Sequence, residues 1–268
     1  MTFKPGLIAL DLDGTLLNKV KKVSPRNTAA VNAAIARGIH VCLASGRTHE
    51  ATSKYAAPFT TTPEDLIISY NGARVGTLGG ELIYEKPVSA DQAAWLIDYA
   101  FEHDLHLNFY TGDTLYVSKL TKWSELYQAR TGTVPNAIGD LRTMKGKPAT
   151  KLIIVDSYEK TNSLLAPMKE HFGSALYITK TDDEYLEFMN AVVDKGEALS
   201  FVAQRLGVAR ENTAAFGDNY NDLPMLAWAG CGVAMSNGKP DVLRAGDEIA
   251  PGNDDDGVAQ VIERWLAG

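Results

Sequence analysis

A chain of 268 residues, 45% hydrophobic and 22% charged, has the composition of a soluble globular protein and the length of one large domain or two ordinary ones. Its 33 acidic residues outnumber 26 basic ones, giving a formal net charge of -7, which argues against a nucleic-acid partner because a phosphate backbone calls for a basic face. Cys42 and Cys231 make no disulfide framework and fit a reducing, cytoplasmic setting; no stretch reads as a signal segment or is apolar for a membrane-spanning length, so no membrane partner is expected.

Leu7-Ile8-Ala9-Leu10 reads as a buried strand that ends at Asp11, with Asp13 two residues on and Gly14 allowing the chain to turn. Two carboxylates so close repel by about 4 kcal/mol at ~4 Å and an effective dielectric of about 20. A fold keeps such a pair where a cation, a shared proton or a function compensates; a solvated turn is the alternative. Ser24-Pro25 then starts a helix with Ser as cap and Pro in the first turn, and Gly38 ends it. Ile39–Ala44 is a second buried strand that runs into Ser45-Gly46-Arg47. The spacing from Asp11 to Ser45 fits one βαβ unit, which brings Ser45 beside Asp11 at one end of a parallel sheet. There Ser45 is either a phosphate contact or a plain helix cap. Leu66–Ser69 is a third strand, followed by Asn71-Gly72 as a tight turn. Val75 to Tyr84 reads as a hairpin about Gly79-Gly80.

From about Pro87 the pattern changes. A capping box at Ser89–Gln92 opens a helix to about His103, and strands follow at Leu105–Tyr110 and Thr114–Val117. A helix at Lys122–Arg130, a looser stretch, a strand at Lys151–Asp156, a helix at Glu159–His171 and strands at Leu176–Thr179 and Tyr185–Met189 complete an α+β module. After Met189 alternating strands and helices resume, so the module is inserted into the first domain rather than appended to it. Lys195-Gly196 precedes a helix over Glu197–Leu206. The strand Thr213–Phe216 runs into Gly217-Asp218-Asn219-Tyr220-Asn221-Asp222, which opens a helix through Trp228. Gly232–Met235, Pro240–Ala245, Glu248–Ala250 and Gly257–Leu266 follow as strand, helix, strand and helix.

Three strand ends therefore carry polar clusters: Asp11 with Asp13, Ser45, and Asp218 with Asn221 and Asp222. A parallel sheet turns all three toward one crevice. Four carboxylates, one hydroxyl and Lys195 there call for a hard divalent cation with oxygen ligands, for which Mg²⁺ is the natural choice. The five histidines show no ligand spacing, so zinc is not expected.

Asp11-Leu-Asp-Gly-Thr15, Ser45-Gly-Arg47, Lys195-Gly196 and Gly217–Asp222, in this order, resemble the four motifs of the haloacid dehalogenase (HAD) superfamily of phosphatases. The insert between the second and third motifs, with Asn71-Gly72-Ala73, Glu187 and Gly232–Met235, is similar to the Cof-type sugar-phosphatase subfamily. Asn237-Gly238 departs mildly from it, standing where the subfamily more often has Asn-Ala. The resemblance covers essentially the whole chain. It implies an α/β fold with a doubly wound, Rossmann-like core at residues 1–86 and 188–268 and an inserted α+β cap at 87–187. It implies Asp11 as nucleophile and Asp13 as general acid and base, the pKa of Asp13 being held up by neighbouring negative charge. Mg²⁺ would be held by Asp11, the Asp13 carbonyl and Asp218, with Asp222 as a direct or indirect partner. Ser45, the Gly46 N–H, Lys195 and Asn221 would hold phosphoryl oxygens. Arg47 would reach substrate or cap, with a surface position as the alternative; Asn71 and Gly72 are further candidates for substrate contact. The substrate would be a small phosphorylated metabolite, probed by the cap. Tyr110, Tyr116, Trp123 and Tyr185 could line its face but read first as cap core. A monomer or weak homo-oligomer is expected. A phosphomutase on sugar phosphates shares these motifs, and a non-enzymatic receiver-like phospho-Asp module shares the acidic pocket and the lysine.

Overall fold

Leu7–Asp11 (β1) is apolar on both sides because both sides are covered. Its alternate residues Ile8 and Leu10 enter one apolar cluster and Leu7 and Ala9 another. The computed structural model describes residues 3–268, and around this strand the chain continues as α1 (Pro25–Ile35), β2 (His40–Ala44), α2 (His49–Ser53), β3 (Leu66–Ser69), β4 (Arg74–Thr77) and β5 (Leu82–Glu85). Then come α3 (Ala90–Glu102), β6 (His106–Thr111), β7 (Thr114–Val117), α4 (Lys122–Thr131), β8 (Asn136–Ala137), β9 (Lys151–Val155), α5 (Tyr158–Phe172), β10 (Leu176–Asp182) and β11 (Tyr185–Asn190). The last stretch is α6 (Lys195–Leu206), β12 (Thr213–Gly217), α7 (Leu223–Trp228), β13 (Cys231–Met235), α8 (Pro240–Ala245), β14 (Glu248–Ala250) and α9 (Gly257–Ala267).

These elements form two units, one made of the chain up to Tyr84 together with Asp194–Gly268, the other of Glu85–Val193. The boundaries differ from those expected at 86/87 and 187/188. The strand β11 runs unbroken to Asn190 between β9 and β10, so a division after Glu187 would cut it. Glu85 accepts a hydrogen bond from Thr150 Oγ1 at 2.5 Å and goes with the second unit.

In the first unit the sheet order is β14-β13-β12-β1-β2-β3-β4-β5, parallel from β14 to β3, with β4 antiparallel to β3. Val31 and Ala34 of α1 and Val258, Ile262 and Trp265 of α9 pack with Ile8 and Leu10. Leu199 and Val202 of α6 and Met225 and Leu226 of α7 pack with Leu7 and Ala9. The register sets Asp11 level with Ala44, Ala44 level with Ile68, and Leu10 level with Phe216. The residues just beyond the strand ends are thus Ser45, Tyr70-Asn71 and Asp218. Two helix starts differ from expectation. The helix α6 begins at Lys195 itself because the Asp194 side chain accepts from the Glu197 N–H and caps it. The run after β12 opens with a 3₁₀ turn at Tyr220–Asp222, and α7 follows with Pro224 in its first turn.

In the second unit a sheet of order β10-β11-β9-β6-β7-β8 carries α3 and α5 on one face, where Leu96, Phe109, Leu152, Leu164 and Phe188 share a core. The short edge strand β8 and a 3₁₀ turn at Leu141–Met144 lie in the stretch expected to be irregular. Tyr110 and Tyr185 are buried, Tyr116 packs on the apolar core, and Trp123 is half-buried beneath Lys122. Among the described residues no helix is long and apolar enough to cross a membrane.

Within this unit His106 is buried, its Nδ1 accepting from Thr121 Oγ1 at 3.0 Å and its Nε2 facing Asn108 Oδ1 at 3.1 Å. Burial pushes its pKa down to about 4, and the Asn108 hydrogen bond offsets only part of that. The unfolded chain therefore takes up a proton at higher pH than the folded one. Stability contributed by the neutral ring is full above about pH 6.5 and is lost toward pH 4, in total about 3 kcal/mol. Thermal melts from pH 7 to pH 4.5 are expected to show this fall, and His106→Gln to flatten the part that the ring contributes.

Candidate active site

Asp11 closes β1 with its carboxylate buried, and its Oδ1 accepts from Lys195 Nζ at 2.6 Å. The same ammonium donates to Asp222 Oδ1 at 2.6 Å. Lys195, at the first turn of α6, is fully buried, as is Asp222. The other oxygen of Asp222 accepts the N–H groups of Asp218 and Asn219, each at 3.0 Å, which folds the 218–222 loop back on its own acid. Asp218 Oδ1 accepts from Thr15 Oγ1 at 3.1 Å. One carboxylate oxygen each from Asp11, Asp218 and Asp222 lies within 4.8 Å of the others.

If all three carboxylates are ionised, one ammonium leaves two negative charges uncompensated in a largely buried place. The crowding shifts the pKa values of the cluster. Burial, then the charge of Asp222, pushes Asp11 up to about 8 despite Lys195. Burial and Asp222 likewise push Asp218 up to about 6. For Lys195, burial works to lower the pKa, but Asp11 and Asp222 outweigh it and hold the ammonium above its ordinary range.

Asp13 has the opposite surroundings, contrary to the expectation that negative neighbours would hold its pKa up. Its carboxylate accepts from Arg47 Nε at 2.7 Å and Nη2 at 2.8 Å and from Lys21 Nζ at 2.7 Å. Burial alone would raise its pKa; the hydrogen bonds and charges of Arg47 and Lys21 lower it to about 2. Arg47 is half-buried, donates to Tyr55 Oη at 3.2 Å and rests on that ring, so it is committed to Asp13 rather than to open surface.

The remaining candidates form a bracket around this centre. Ser45 is buried just past β2; its N–H donates to the Ile68 carbonyl at 2.9 Å and its Oγ accepts the Arg47 N–H at 3.2 Å. Tyr70 and Asn71 are both in the left-handed region, at φ 54° and 56°. This turn sets Asn71 Oδ1 to accept from Asn221 Nδ2 at 2.9 Å, and it lies against Gly46. Gly72, at φ 101°, passes so close to the start of α6 that a Cβ would stand 2.2 Å from the Asp194 carbonyl oxygen. Asn71 and Gly72 thus fasten the 45–47 loop to the 218–222 loop and to α6. Gly14, at φ 91°, is needed for a second reason besides its turn: a Cβ there would stand 2.3 Å from Asp218 Oδ2.

Sequence reasoning missed Thr15, Lys21, Tyr55 and Asn237. Thr15 is fully buried and orients Asp218, and Asn237 Nδ2 donates to the Gly14 carbonyl at 2.8 Å. Thr15 and Asn237 stand inside motifs already singled out. Lys21 and Tyr55 carry no local signal, one in a polar loop and the other on a short helical turn.

A family model for haloacid dehalogenase-like hydrolases matches residues 8–262. The chain is 29% identical to the 5-amino-6-(5-phospho-D-ribitylamino)uracil phosphatase YitU of Bacillus subtilis, over 100% of both chains. It is similar to the crystal structure of TM0651 from Thermotoga maritima, with a TM-score of 0.90 and 31% identity over 98% of this chain and 97% of that one. It is also similar to a haloacid dehalogenase-like hydrolase from Bacteroides thetaiotaomicron, with a TM-score of 0.86 and 30% identity over 98% and 99% of the two chains.

Removing the ammonium leaves Asp11 and Asp222 buried and unpaired. Lys195→Met is therefore expected to lower stability by about 3–5 kcal/mol, read from the denaturant midpoint in chelator at neutral pH.

Proposed function

Because the chain belongs to the haloacid dehalogenase-like hydrolase family, we propose that it is a Mg²⁺-dependent phosphatase of small phosphorylated metabolites, working through a phosphoryl group carried on Asp11. The observation that carries this reading is the charge imbalance at the carboxyl end of the sheet. Buried Asp11 and Asp222 share one ammonium with half-buried Asp218 alongside, and the Asp11 carboxylate lies at the strand end beside the Ser45 and Asn221 loops. The donors are all oxygens, and the uncompensated charge equals that of one hard divalent cation. Asp11, the Asp13 carbonyl and Asp218 would hold Mg²⁺, with Asp222 supporting them; when bound, it supplies charge neutralisation for the phosphoryl oxygens.

The protein groups divide the rest of the work. A carboxylate oxygen of Asp11 attacks phosphorus, the bond from phosphorus to the ester oxygen breaks, and the leaving oxygen takes a proton from Asp13. Asp13, now a carboxylate, takes a proton from a water molecule as that water attacks the aspartyl phosphate. Inorganic phosphate leaves and Asp11 is restored. Lys195, Ser45, the Gly46 N–H and Asn221 would hold phosphoryl oxygens as charge shifts onto them, which is the positioning that phosphoryl transfer needs. The ionised, Arg47-bound form of Asp13 is the one suited to the second step; delivering a proton in the first requires that contact to loosen as substrate arrives. The Glu85–Val193 unit would act as the cap that selects substrate. The name of the YitU relative supports a phosphate ester on a primary polyol carbon as the first class to try, sugar phosphates included.

The test is release of inorganic phosphate from a panel of sugar and polyol phosphates and from p-nitrophenyl phosphate, with Mg²⁺ or with chelator. Turnover is expected only with Mg²⁺, and Asp11→Asn is expected to lose on the order of a thousandfold or more. Mg²⁺ alone is expected to raise the melting temperature of the wild type and to raise that of Asp218→Asn less. Absence of release from every compound, with the protein folded and Mg²⁺ bound, would overturn the reading.

A further inference from the structure

Tyr70, Asn71 and Gly72 are consecutive residues in the left-handed region, at φ 54°, 56° and 101°. Asparagine and glycine take that conformation readily, but a fully buried tyrosine seldom does. The turn is held by the two loops it lies against. Tyr70 N–H donates to the Arg47 carbonyl at 2.9 Å and Asn71 N–H to the Ser45 carbonyl at 3.0 Å, which lays the backbone along the 45–47 loop. The Asn71 side chain reaches the 218–222 loop, where its Oδ1 accepts from Asn221 Nδ2 at 2.9 Å across 150 positions of sequence. The same carboxamide fills the space that a side chain at position 46 would need. A Cβ on Gly46 would stand 2.8 Å from Asn71 Oδ1 and 3.2 Å from its Nδ2. Gly46 is not at positive φ, so its glycine serves the close approach and not a turn. A strained backbone, a distant hydrogen bond and a missing Cβ thus converge on one carboxamide, and local strain of this kind collects where a position is over-determined for use.

We propose that Asn71 is a positioning residue that holds the Asn221 carboxamide at a fixed distance from the Gly46 N–H, so that both donors meet the phosphoryl group together. A carboxamide nitrogen carries two N–H groups. Asn71 takes one from Asn221 Nδ2 and thereby fixes the plane in which the other is offered. Donors already in place need no rearrangement when charge shifts onto the phosphoryl oxygens, which is where preorganisation lowers a barrier. Asn71 acts through Asn221 and makes no contact with substrate itself. This rests on the phosphatase reading above, because that reading gives Gly46 and Asn221 their roles.

The experiment measures kcat/KM for p-nitrophenyl phosphate and the inhibition constant of orthovanadate, which can take a five-coordinate form like that of a phosphoryl group in transfer. The proteins are the wild type, Asn71→Gly, Asn221→Ala, the double variant and, as control, Asp11→Asn. Asn71→Gly removes the carboxamide and suits the left-handed backbone. It is expected to lower kcat/KM and raise the vanadate constant about fivefold each, the size of one lost hydrogen bond. A protein that is merely less folded would lose kcat and keep the vanadate constant. The double variant is expected to match Asn221→Ala within about twofold, because Asn71 has nothing left to position. A readout without metal or turnover is the denaturant midpoint in chelator. Gly46→Ala is expected to lower it in the wild type and by less than half as much in Asn71→Gly, where the side chain it strikes is gone. An unchanged vanadate constant in Asn71→Gly, effects of Asn71→Gly and Asn221→Ala that multiply, or an equal cost of Gly46→Ala in both backgrounds would overturn the role of Asn71. In each of those cases wild-type turnover and an inactive Asp11→Asn leave the phosphatase reading standing. No phosphate release by the wild type from any compound of the panel would overturn that reading and this one with it.

Discussion

The fold is arranged around an unpaid electrostatic debt. Asp11 and Asp222 are buried against Lys195, and half-buried Asp218 crowds in beside them. At separations of ~4 Å each pair of carboxylates repels by about 4 kcal/mol even at an effective dielectric of about 20. No local preference would assemble such a group. Lys195 lies 184 positions from Asp11 in the chain and 27 from Asp222, and the three are brought together by the sheet register and by α6 packing on the sheet. The apolar clusters on both faces of β1 supply the stabilisation against which the acid cluster is held. The location follows from topology: strand ends β1, β2 and β12 open at one edge of a parallel sheet, where backbone ladders stop and polar side chains can converge.

Two aspartates separated by a single residue end in opposite states. Asp11 is pushed up to about 8 and Asp13 down to about 2. Leu12 between them is fully buried in the apolar cluster, which fixes the turn so that Asp11 stays in the buried centre and Asp13 leaves it toward Arg47 and Lys21. Their environments, not their spacing in the chain, separate the two pKa values. Here one member is set against excess negative charge and asks for a cation. The other is set between two cations, which keep it ionised and oriented.

Much of this was legible in the sequence because it follows local rules. The Ser24 and Ser89 caps, the apolar strand runs and the polar residues after them are governed by neighbours a few positions away, and Asp11, Ser45, Lys195, Asn221 and Asp222 come together at the strand ends. What was not legible depends on distant partners. The direction of the Asp13 side chain depends on Arg47, 34 positions on, and the pair reversed the expected direction of its pKa. The start of α6 at Lys195 rather than at Glu197 depends on Asp194 serving as cap, which sequence spacing alone leaves open. The burial of Thr15 and the left-handed turn at Tyr70-Asn71 are consequences of loops meeting one another, and β8 pairs only because β7 offers an edge.

The close approaches of backbone hold the loops of the centre against one another. Gly14 admits the Asp218 carboxylate where any Cβ would stand 2.3 Å from it, and Gly72 admits the start of α6 where a Cβ would stand 2.2 Å from the Asp194 oxygen. Both sit at positive φ, so the same residues that let the chain turn also let two loops touch. Each contact links a motif from the first part of the chain to one that follows the insertion. The motifs are therefore spaced by the insertion in sequence and by fractions of a nanometre in space. Substituting either glycine would disturb two loops at once, because the turn and the contact are one geometric requirement.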